Sequence, residues 1–180
     1  MTMTKAYDFR HIPSHLVRRA HQRAVAIFME EMADFDTTPV QFAVLITLLD
    51  KPGIDQVSLA AHVALDAATS GSVIGRLEAR GWLRRENDTH DRRRKLLWIT
   101  PEGENVALSM GDIAPKVQAR LVQPLSVPQQ EQLVALLSQL VYSDNIGSGQ
   151  NGPASEADAE AESHAEAPVL QDTHSVGHAS

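Results

Sequence analysis

Apolar residues recur every three or four positions through most of the chain, a pattern that predicts amphipathic helices. The first predicted helix covers residues 14–32, the second opens at a Thr38-Pro39 cap, and a short third one covers 56–63. The apolar stripe of the first helix consists of Leu16, Ala20, Ala24, Ile27 and Phe28. The core-facing residues expected on the next two helices are Phe42, Leu45, Ile46 and Leu49, and Leu59, Ala60 and Val63.

A fourth helix is predicted between Asp66 and Gly81, because aspartate is a strong N-cap and glycine adopts the left-handed conformation that closes a helix. Its apolar stripe consists of Ser70, Val73, Ile74 and Leu77. The other face is small, polar and cationic, and Gly71 and Gly75 add no bulk, so it is suited to a DNA major groove. Two glycines are equally compatible with an ordinary surface helix. The candidate DNA contacts on this helix are Thr69, Ser70, Ser72, Arg76 and Arg80.

Two short stretches after this helix predict a β-hairpin. Residues 82–86 and 95–100 are rich in aromatic or branched side chains and are separated by a polar loop. From Arg76 to Lys95 the chain has eight Lys or Arg and four Asp or Glu, a local balance of +4 in a chain of net charge −7. A cationic run is usually a solvated face, but beside a candidate recognition helix it can also neutralise phosphates. The hairpin cations proposed as DNA contacts are Arg92, Arg93, Arg94 and Lys95.

Two further helices are predicted toward the carboxyl end. The fifth starts at the Thr100-Pro101 cap and contains Pro115, which predicts a kink or a division near 111–115 because proline removes a backbone hydrogen bond and crowds the preceding turn. The sixth starts at a capping box at Ser126. Its leucines could fold back on their own subunit, but with the first helix they more plausibly bury against a second copy of the chain. The two apolar stripes are Val106, Met110, Ile113, Val117 and Leu121, and Leu133, Leu136, Leu137, Leu140 and Val141.

Over roughly residues 10–143 the chain resembles the MarR (multiple antibiotic resistance regulator) family, most clearly in GRLEARGWLRRE and DTHDRRRKLLWITPEG. The resemblance implies that Asp91 and Arg93 brace the wing, and that Thr100 and Gly103 open the next helix. Ile99 stands where the family has leucine. The resemblance also implies a homodimeric, ligand-responsive transcription factor, usually a repressor, with a long unbroken helix from which Pro115 would depart.

The expected fold is mainly α with a small β-wing, a winged helix-turn-helix that dimerises through its N- and C-terminal helices. Residues 1–143 form this unit, with the DNA-binding lobe at about 38–100. Residues 144–180 contain seven acids, no Lys or Arg and few large apolar side chains, so we expect an acidic disordered tail. Because this tail carries the whole charge of −7, the rest of the chain is electrically neutral.

Composition and motifs narrow the function classes. The chain has no cysteine, which excludes disulfides, thiolate metal sites and cysteine redox switching. Without a long apolar run or a signal-like start, we expect a cytoplasmic protein with no membrane partner. Serine elbows, phosphate loops and paired carboxylates are not visible, so we predict a non-enzyme without cofactors. We identify no carboxylate near His11 and His15 in the sequence, so no metal site is predicted.

Three residues of the first helix, His15, Arg18 and Arg19, are candidate ligand contacts. The family resemblance implies a pocket for small aromatic acids between the first two helices and the DNA-binding lobe. Arginine pairs bidentately with a carboxylate, and histidine can donate to a ring hydroxyl. The same arginines also suit intersubunit salt bridges or contacts with the DNA backbone.

The leading hypothesis is therefore a homodimeric repressor of a pseudo-palindromic, double-stranded DNA operator, released by a small aromatic carboxylate or phenolic effector. The alternative is a constitutive or architectural DNA-binding protein that has no small-molecule effector.

Overall fold

The computed structural model describes residues 8–89, 91 and 94–143. Residues 1–7, the acidic tail 144–180 and the wing residues Arg92 and Arg93 lie outside this part. The described elements are a 3₁₀ turn Phe9–His11, α1 Pro13–Glu31, a second 3₁₀ turn Ala33–Phe35, α2 Pro39–Asp50, β1 Ile54–Asp55, α3 Gln56–His62, α4 Ala67–Ala79, β2 Leu83–Asn87, β3 Lys95–Ile99, α5 Pro101–Val122 and α6 Val127–Tyr142. The predicted fold class, mainly α with a small β-wing, is confirmed.

The wing is the hairpin of β2 and β3, which pair antiparallel with Leu83 opposite Ile99 and Asn87 opposite Lys95. A third strand, β1, pairs with the other edge of β3 and places Ile54 opposite Leu97. The sequence did not predict β1, because a strand of two residues is too short to show a period. This strand joins the wing to the start of α3.

The core of the lobe predicted to bind DNA forms where α2, α3, α4, the wing and the start of α5 meet. It consists of Val44, Leu45, Leu48, Leu59, Val73, Ile74, Leu77, Trp82, Leu83, Leu97 and Ala107. The predicted stripe of α4 is therefore confirmed as the buried face of that helix. Each element contributes one face to this core.

A second apolar cluster joins α1 to α5 through Ile27, Phe28, Met32, Met110 and Val117. Ion pairs border it. Arg120 binds Glu30 at 2.8 Å and Glu31 at 2.5 Å, and Lys116 Nζ lies 2.6 Å from Glu31 Oε2. These hydrogen bonds, from Lys116 first and then Arg120, lower the pKa of the Glu31 carboxyl. The second half of α1 is thus attached to α5 by both packing and charge.

Two predictions about these helices are wrong in part. In α2 the predicted Leu45 is buried and Phe42 and Leu49 pack against the two clusters, but Ile46 is 37% exposed and the buried face also contains Gln41, Val44 and Leu48. Almost every residue of α2 is apolar, so two overlapping stripes of helical period were available and only the tertiary contacts select one. In addition, α5 is not divided at Pro115 but continues to Val122, and buried side chains on both sides, Met110 and Val117, pack it against α1.

The apolar stripe of α6 is exposed in the described protomer. Leu136 and Leu140 are 56% and 55% exposed, and in the first half of α1 Leu16 and Val17 are 52% and 47% exposed. No single helix of the described part is long and apolar enough to cross a membrane, and α3 with α4 reaches that length only across a bend of 105°. These exposed apolar residues on both terminal helices are consistent with the predicted dimer contact, which stays a prediction.

Two glycines of α5 should respond oppositely to alanine. A Cβ at Gly103 would overlap the backbone carbonyl of Trp82, whereas one at Gly111 meets nothing within 4 Å outside its own helix. Gly103→Ala should lower the free energy of unfolding by about 3 kcal/mol or more, because backbone must move. Gly111→Ala should raise it by about 0.5–1 kcal/mol through helix propensity. Urea denaturation of both variants checks this, and equal effects would contradict the packing of Gly103.

Candidate nucleic-acid interface

The helix α4 is positioned by a strong cap at its start. Asp66 Oδ1 accepts hydrogen bonds from the backbone N–H of Ala68 and Thr69 at 2.8 and 2.9 Å, and Oδ2 accepts from the Thr69 hydroxyl at 2.7 Å. These bonds, chiefly the one from the Thr69 backbone, lower the pKa of the Asp66 carboxyl. Gly81 closes the helix with φ +74°, as its sequence position predicts.

The exposed face of α4 carries several of the predicted contact residues. Ser72 and Arg76 are exposed, and Thr69, Gly71 and Gly75 are half-buried. A Cβ at Gly75 would meet nothing within 4 Å, and one at Gly71 would come no closer than 3.7 Å to Gln56 Nε2. The face is therefore open rather than closed by packing, and it combines hydroxyls with one guanidinium.

Ser70 does not belong to this face. Its side chain is 2% exposed and its hydroxyl donates to the carbonyl of Ala67 at 3.0 Å. The helical spacing that aligned Ser70 with Val73, Ile74 and Leu77 is what buries it. Its assignment as a DNA contact is corrected by this position.

Arg80 also differs from the sequence prediction. Its Nη2 donates to the carbonyl of Phe35 at 2.8 Å, its Nη1 donates to the carbonyl of Asp36, and its guanidinium lies 3.8 Å from the centroid of the Trp82 ring. The side chain is thus engaged in contacts inside the protomer. Reaching DNA would require it to give up two hydrogen bonds and a ring contact.

The wing is anchored to the lobe by Arg94. Its Nη2 lies 2.6 Å from Asp55 Oδ2 at the start of α3, and its Nη1 lies 3.9 Å from Asp88. The Arg94 backbone N–H donates to the carbonyl of Asp91 at 2.9 Å, and its carbonyl accepts from the Asp88 N–H at 3.0 Å. The predicted brace between Asp91 and Arg93 lies partly outside the described residues and stays a prediction. Within the described part, Arg94 provides a brace of the same kind.

Asp55 is the acceptor on which this anchor depends. In addition to pairing with Arg94, Asp55 caps α3. Its carboxylate accepts hydrogen bonds from the backbone N–H of Val57 and Ser58 at 3.1 and 3.0 Å, and its side chain is only 12% exposed. The hydrogen bond from Arg94, followed by those from Ser58, holds the pKa of the Asp55 carboxyl far below its usual range. An open depression of about 220 Å³ lies beside this pair, lined by Asp55, Gln56, Val57, Asp91, Arg94 and Lys95.

The predicted ligand residues lie on the N-terminal half of α1. The ring of His15 packs edge-on against Phe9 at 5.1 Å between centroids, and its Nδ1 lies 3.3 Å from Arg18 Nη2. Arg19 is exposed. The structure therefore brings His15 and Arg18 together.

His11, four residues before His15, has a carboxylate partner, contrary to the sequence prediction. His11 Nδ1 lies 3.0 Å from Asp8 Oδ2. Across residues 8–89, 91 and 94–143, no three His, Asp or Glu side chains are placed to share a metal ion.

Two structural partnerships at this site were missed by sequence reasoning. Asp55, just before the predicted third helix, binds Arg94, 39 residues away, and Arg80 binds backbone 44 and 45 residues away. The only local signal for the first pair was an acid at the start of α3 and a cation in the wing. Neither residue type specifies its partner.

Comparison with known proteins assigns this architecture to a family. The sequence model described as the MarR family matches residues 37–95. The transcriptional regulator HosA of Escherichia coli O157:H7 is 35% identical over 127 residues, which is 71% of this chain and 93% of HosA. This chain belongs to the MarR family. It is a MarR-family transcriptional regulator, and its relatives are regulators rather than enzymes.

Other relatives of this MarR-family protein include the HTH-type transcriptional repressor NicR of Pseudomonas putida, 30% identical over 77% of this chain and 87% of NicR. The structure of Bordetella bronchiseptica BpsR, concerned with regulation of DNA binding by 6-hydroxynicotinic acid, is 35% identical, covers 77% of this chain and 99% of that one, and has a TM-score of 0.73. Streptomyces coelicolor PcaV, in complex with its natural ligand, is 33% identical over 75% of this chain and 95% of PcaV, with a TM-score of 0.70.

The anchor of Asp55 on Arg94 makes stability depend on pH. Asp55→Asn keeps an oxygen for the helix cap but loses the ion pair, so the variant should unfold at lower urea concentration than wild type at pH 7. The folded-state pKa of Asp55 is depressed. Its contribution to stability is therefore complete above the unfolded-state pKa of about 4, and it is lost as the pH falls toward the lower folded-state pKa. The difference in free energy of unfolding between wild type and Asp55→Asn should therefore shrink as the pH falls from 5 to 2.

Urea titrations at several pH values measure this difference. Asp50→Asn is the control, since Asp50 is 72% exposed and pairs only with the adjacent Lys51 in the described contacts. A double variant with Arg94→Met should add little to Asp55→Asn alone, because both changes break one interaction. Fully additive effects would contradict the pairing.

Proposed function

We propose that this protein is a homodimeric repressor that binds a pseudo-palindromic DNA operator and is released by a small aromatic carboxylate. One observation carries the proposal: α4 buries its apolar stripe and presents hydroxyls and a guanidinium outward, directly beside a cationic wing. The helices α3 and α4 meet at 105°, as a helix-turn-helix requires. The name of NicR as a repressor supports the direction of regulation.

Reading and positioning are divided between α4 and the wing. Thr69, Ser72 and Arg76 are short or flexible enough to let the helix approach base edges, and Arg76 can bind guanine bidentately. Arg92 and Arg93, with Lys95, supply charge at the wing for phosphate or the minor groove. The acidic net charge of the chain does not oppose this, because it comes from residues 144–180.

A dimer is supported by the exposed apolar faces of α1 and α6. In the described protomer Leu16 and Val17 of α1 are 52% and 47% exposed, and Leu136 and Leu140 of α6 are 56% and 55% exposed. Clustered exposed apolar side chains of this kind favour a protein–protein contact. A two-fold axis between these helices would carry one lobe on each side. Two symmetry-related α4 helices would then enter successive major grooves, which predicts half-sites about one helical turn apart.

An aromatic carboxylate is favoured as effector by the cations on α1. His15 and Arg18 are adjacent, and Arg19 follows on the same helix. A guanidinium pairs with a carboxylate through two parallel hydrogen bonds, and histidine adds a donor or an acceptor for a ring substituent. The relation to BpsR, whose structure concerns 6-hydroxynicotinic acid, supports this ligand class.

Arg76→Ala should weaken binding to an operator, recovered by selection from random duplexes, by about 1–3 kcal/mol and relax base preference at one position of each half-site. The measurement is fluorescence anisotropy with the selected duplex and with a scrambled one. Arg10→Ala removes the same charge from a residue that is 76% exposed and distant in sequence from the lobe, and should leave both affinities unchanged. Equal losses on both duplexes would make Arg76 a phosphate contact and refute base reading.

Binding of an effector should be reciprocal with binding of DNA. In calorimetry with 6-hydroxynicotinic acid, benzoate and hydroxybenzoate, the active compound should also raise Tm, because it binds only the folded protein. Operator DNA should lower the protein's affinity for the compound, and the compound should lower the affinity for operator by the same factor, commonly about 5–150-fold.

The affinity for the active compound should fall in His15→Ala, Arg18→Ala and Arg19→Ala. It should not change in Arg23→Ala, on the same helix. If all four variants bind and respond like wild type, the pocket lies elsewhere. If no compound of this class binds while operator binding persists, the protein is a constitutive DNA-binding regulator.

A further inference from the structure

We propose that Arg80 is a positioning residue that fixes the angle between α4 and the corner joining α1 to α2, and thereby sets the spacing of the two α4 helices in the dimer. The inference rests on the proposed function, because it concerns how a dimer fits its operator. It assigns to Arg80 a role inside the protein instead of a contact with DNA.

Arg80 is the C-cap of α4, and its side chain leaves the helix toward a segment more than forty residues earlier. Nη2 donates to the carbonyl of Phe35 at 2.8 Å, Nη1 donates to that of Asp36, and Nη1 lies 3.9 Å from the Asp36 carboxylate. Two backbone carbonyls in successive residues thus share one planar guanidinium. A planar fork of fixed geometry specifies a direction as well as a distance.

The corner that receives Arg80 is short and conformationally defined. Asp36 has φ 47° and ψ 55°, a left-handed conformation that costs energy in any residue except glycine. Thr37 follows, 1% exposed, with its hydroxyl donating to Phe35 at 2.9 Å, and Thr38 then caps α2. The carbonyls at the end of a 3₁₀ turn lack partners within the turn. Arg80 donates to the Asp36 carbonyl and adds a second donor to the Phe35 carbonyl, which also accepts from Thr37.

The other side of the Arg80 guanidinium faces Trp82. The distance of 3.8 Å from its ring centroid is within the range of a cation–π contact, and the ring is 7% exposed. Trp82 is itself fixed, since its N–H donates to Leu77 and its carbonyl accepts from the Thr100 N–H, both at 3.0 Å. Arg80 therefore lies between a fixed ring on the reading side and a strained corner on the α1 side.

The geometric consequence concerns the whole lobe. The helix α1 carries exposed apolar residues of the proposed dimer contact, and the corner is its direct continuation into α2. A small rotation of α4 relative to this corner displaces the outer face of the helix in each protomer, and the two-fold axis doubles the change in spacing. Losing Arg80 should therefore broaden the range of operator spacings that the dimer accepts.

The chain offers a matched control in Arg85. Its Nε lies 3.3 Å from Glu78 Oε2, so it also attaches to the end of α4, and both arginine side chains are 32% exposed. The difference is the partner: Arg85 joins α4 to β2 within the lobe, whereas Arg80 joins α4 to the corner. Removal of either arginine deletes one positive charge near the DNA-facing side.

The experiment uses the full chain and a series of duplexes in which the two selected half-sites are separated by the best spacing or by one or two base pairs more or fewer. Arg80→Ala should bind the best duplex about five- to tenfold more weakly, the lower range of ordinary coupling between sites, and lose most of the preference over spacings shifted by one base pair. Arg80→Lys should behave similarly, because one ammonium cannot serve both carbonyls with a flat fork. Arg85→Ala should keep the wild-type spacing profile.

A second measurement needs no DNA. Amide hydrogen exchange at Asp36, Thr37 and Thr38 should be faster in Arg80→Ala than in wild type, and unchanged in Arg85→Ala. The same measurement reports whether each variant is folded.

The outcomes separate the two proposals. Equal loss of affinity at every spacing, with unchanged exchange at the corner, would make Arg80 a DNA contact and overturn the inference. A spacing profile for Arg80→Ala that matches Arg85→Ala would overturn it as well. A wild-type protein without any preferred spacing would instead refute the proposed dimeric operator binding itself.

Discussion

The fit of Trp82 against the start of α5 is the constraint on which the rest of the structure depends. The carbonyl of Trp82 accepts from the Thr100 N–H and lies so close to Gly103 that no Cβ fits between them, and the Thr100 hydroxyl donates to Gly81 at 2.6 Å. The end of α4, the first strand of the wing and the start of α5 therefore meet at one point. Since α5 packs along α1, the reading surface is tied to the proposed dimer helices through few intervening residues.

Sequence reasoning succeeded where the signal is local. The caps at Asp66 and Thr100, the closing Gly81 and the buried stripe of α4 each involve residues within one or two turns, and all were predicted with their neighbours. It failed where a partner is distant or where the pattern is degenerate. The apolar α2 has two overlapping stripes of helical period, and the strand β1 is too short to show a period. The residues next to Arg80 and Arg94 in sequence do not indicate which acceptors these side chains bind.

The local excess of positive charge is a weaker guide to DNA contacts than its count indicates. Among the cations between Arg76 and Lys95, Arg80 binds backbone carbonyls, Arg85 pairs with Glu78, and Arg94 pairs with Asp55. These side chains build the lobe, although their charge still contributes to the potential that attracts phosphate. The candidate DNA contacts are therefore a smaller set than the count of cations, chiefly Ser72 and Arg76 on the exposed face of α4.

The connections between the lobe and the terminal helices differ in kind, and this difference limits how a signal can pass between them. At Gly103 the contact is backbone against backbone in a close-packed region, where a small shift produces overlap. Between α1 and α5 the link is an apolar cluster edged by Lys116 and Arg120 on Glu31, so these two helices should move together. The contact of Arg80 with the corner is polar, one-third exposed and made by a long side chain, so it can exchange partners without opening a cavity. A ligand that repositions α1 would therefore change the angle of α4 most readily at this polar contact, while the junction at Trp82 serves as the pivot.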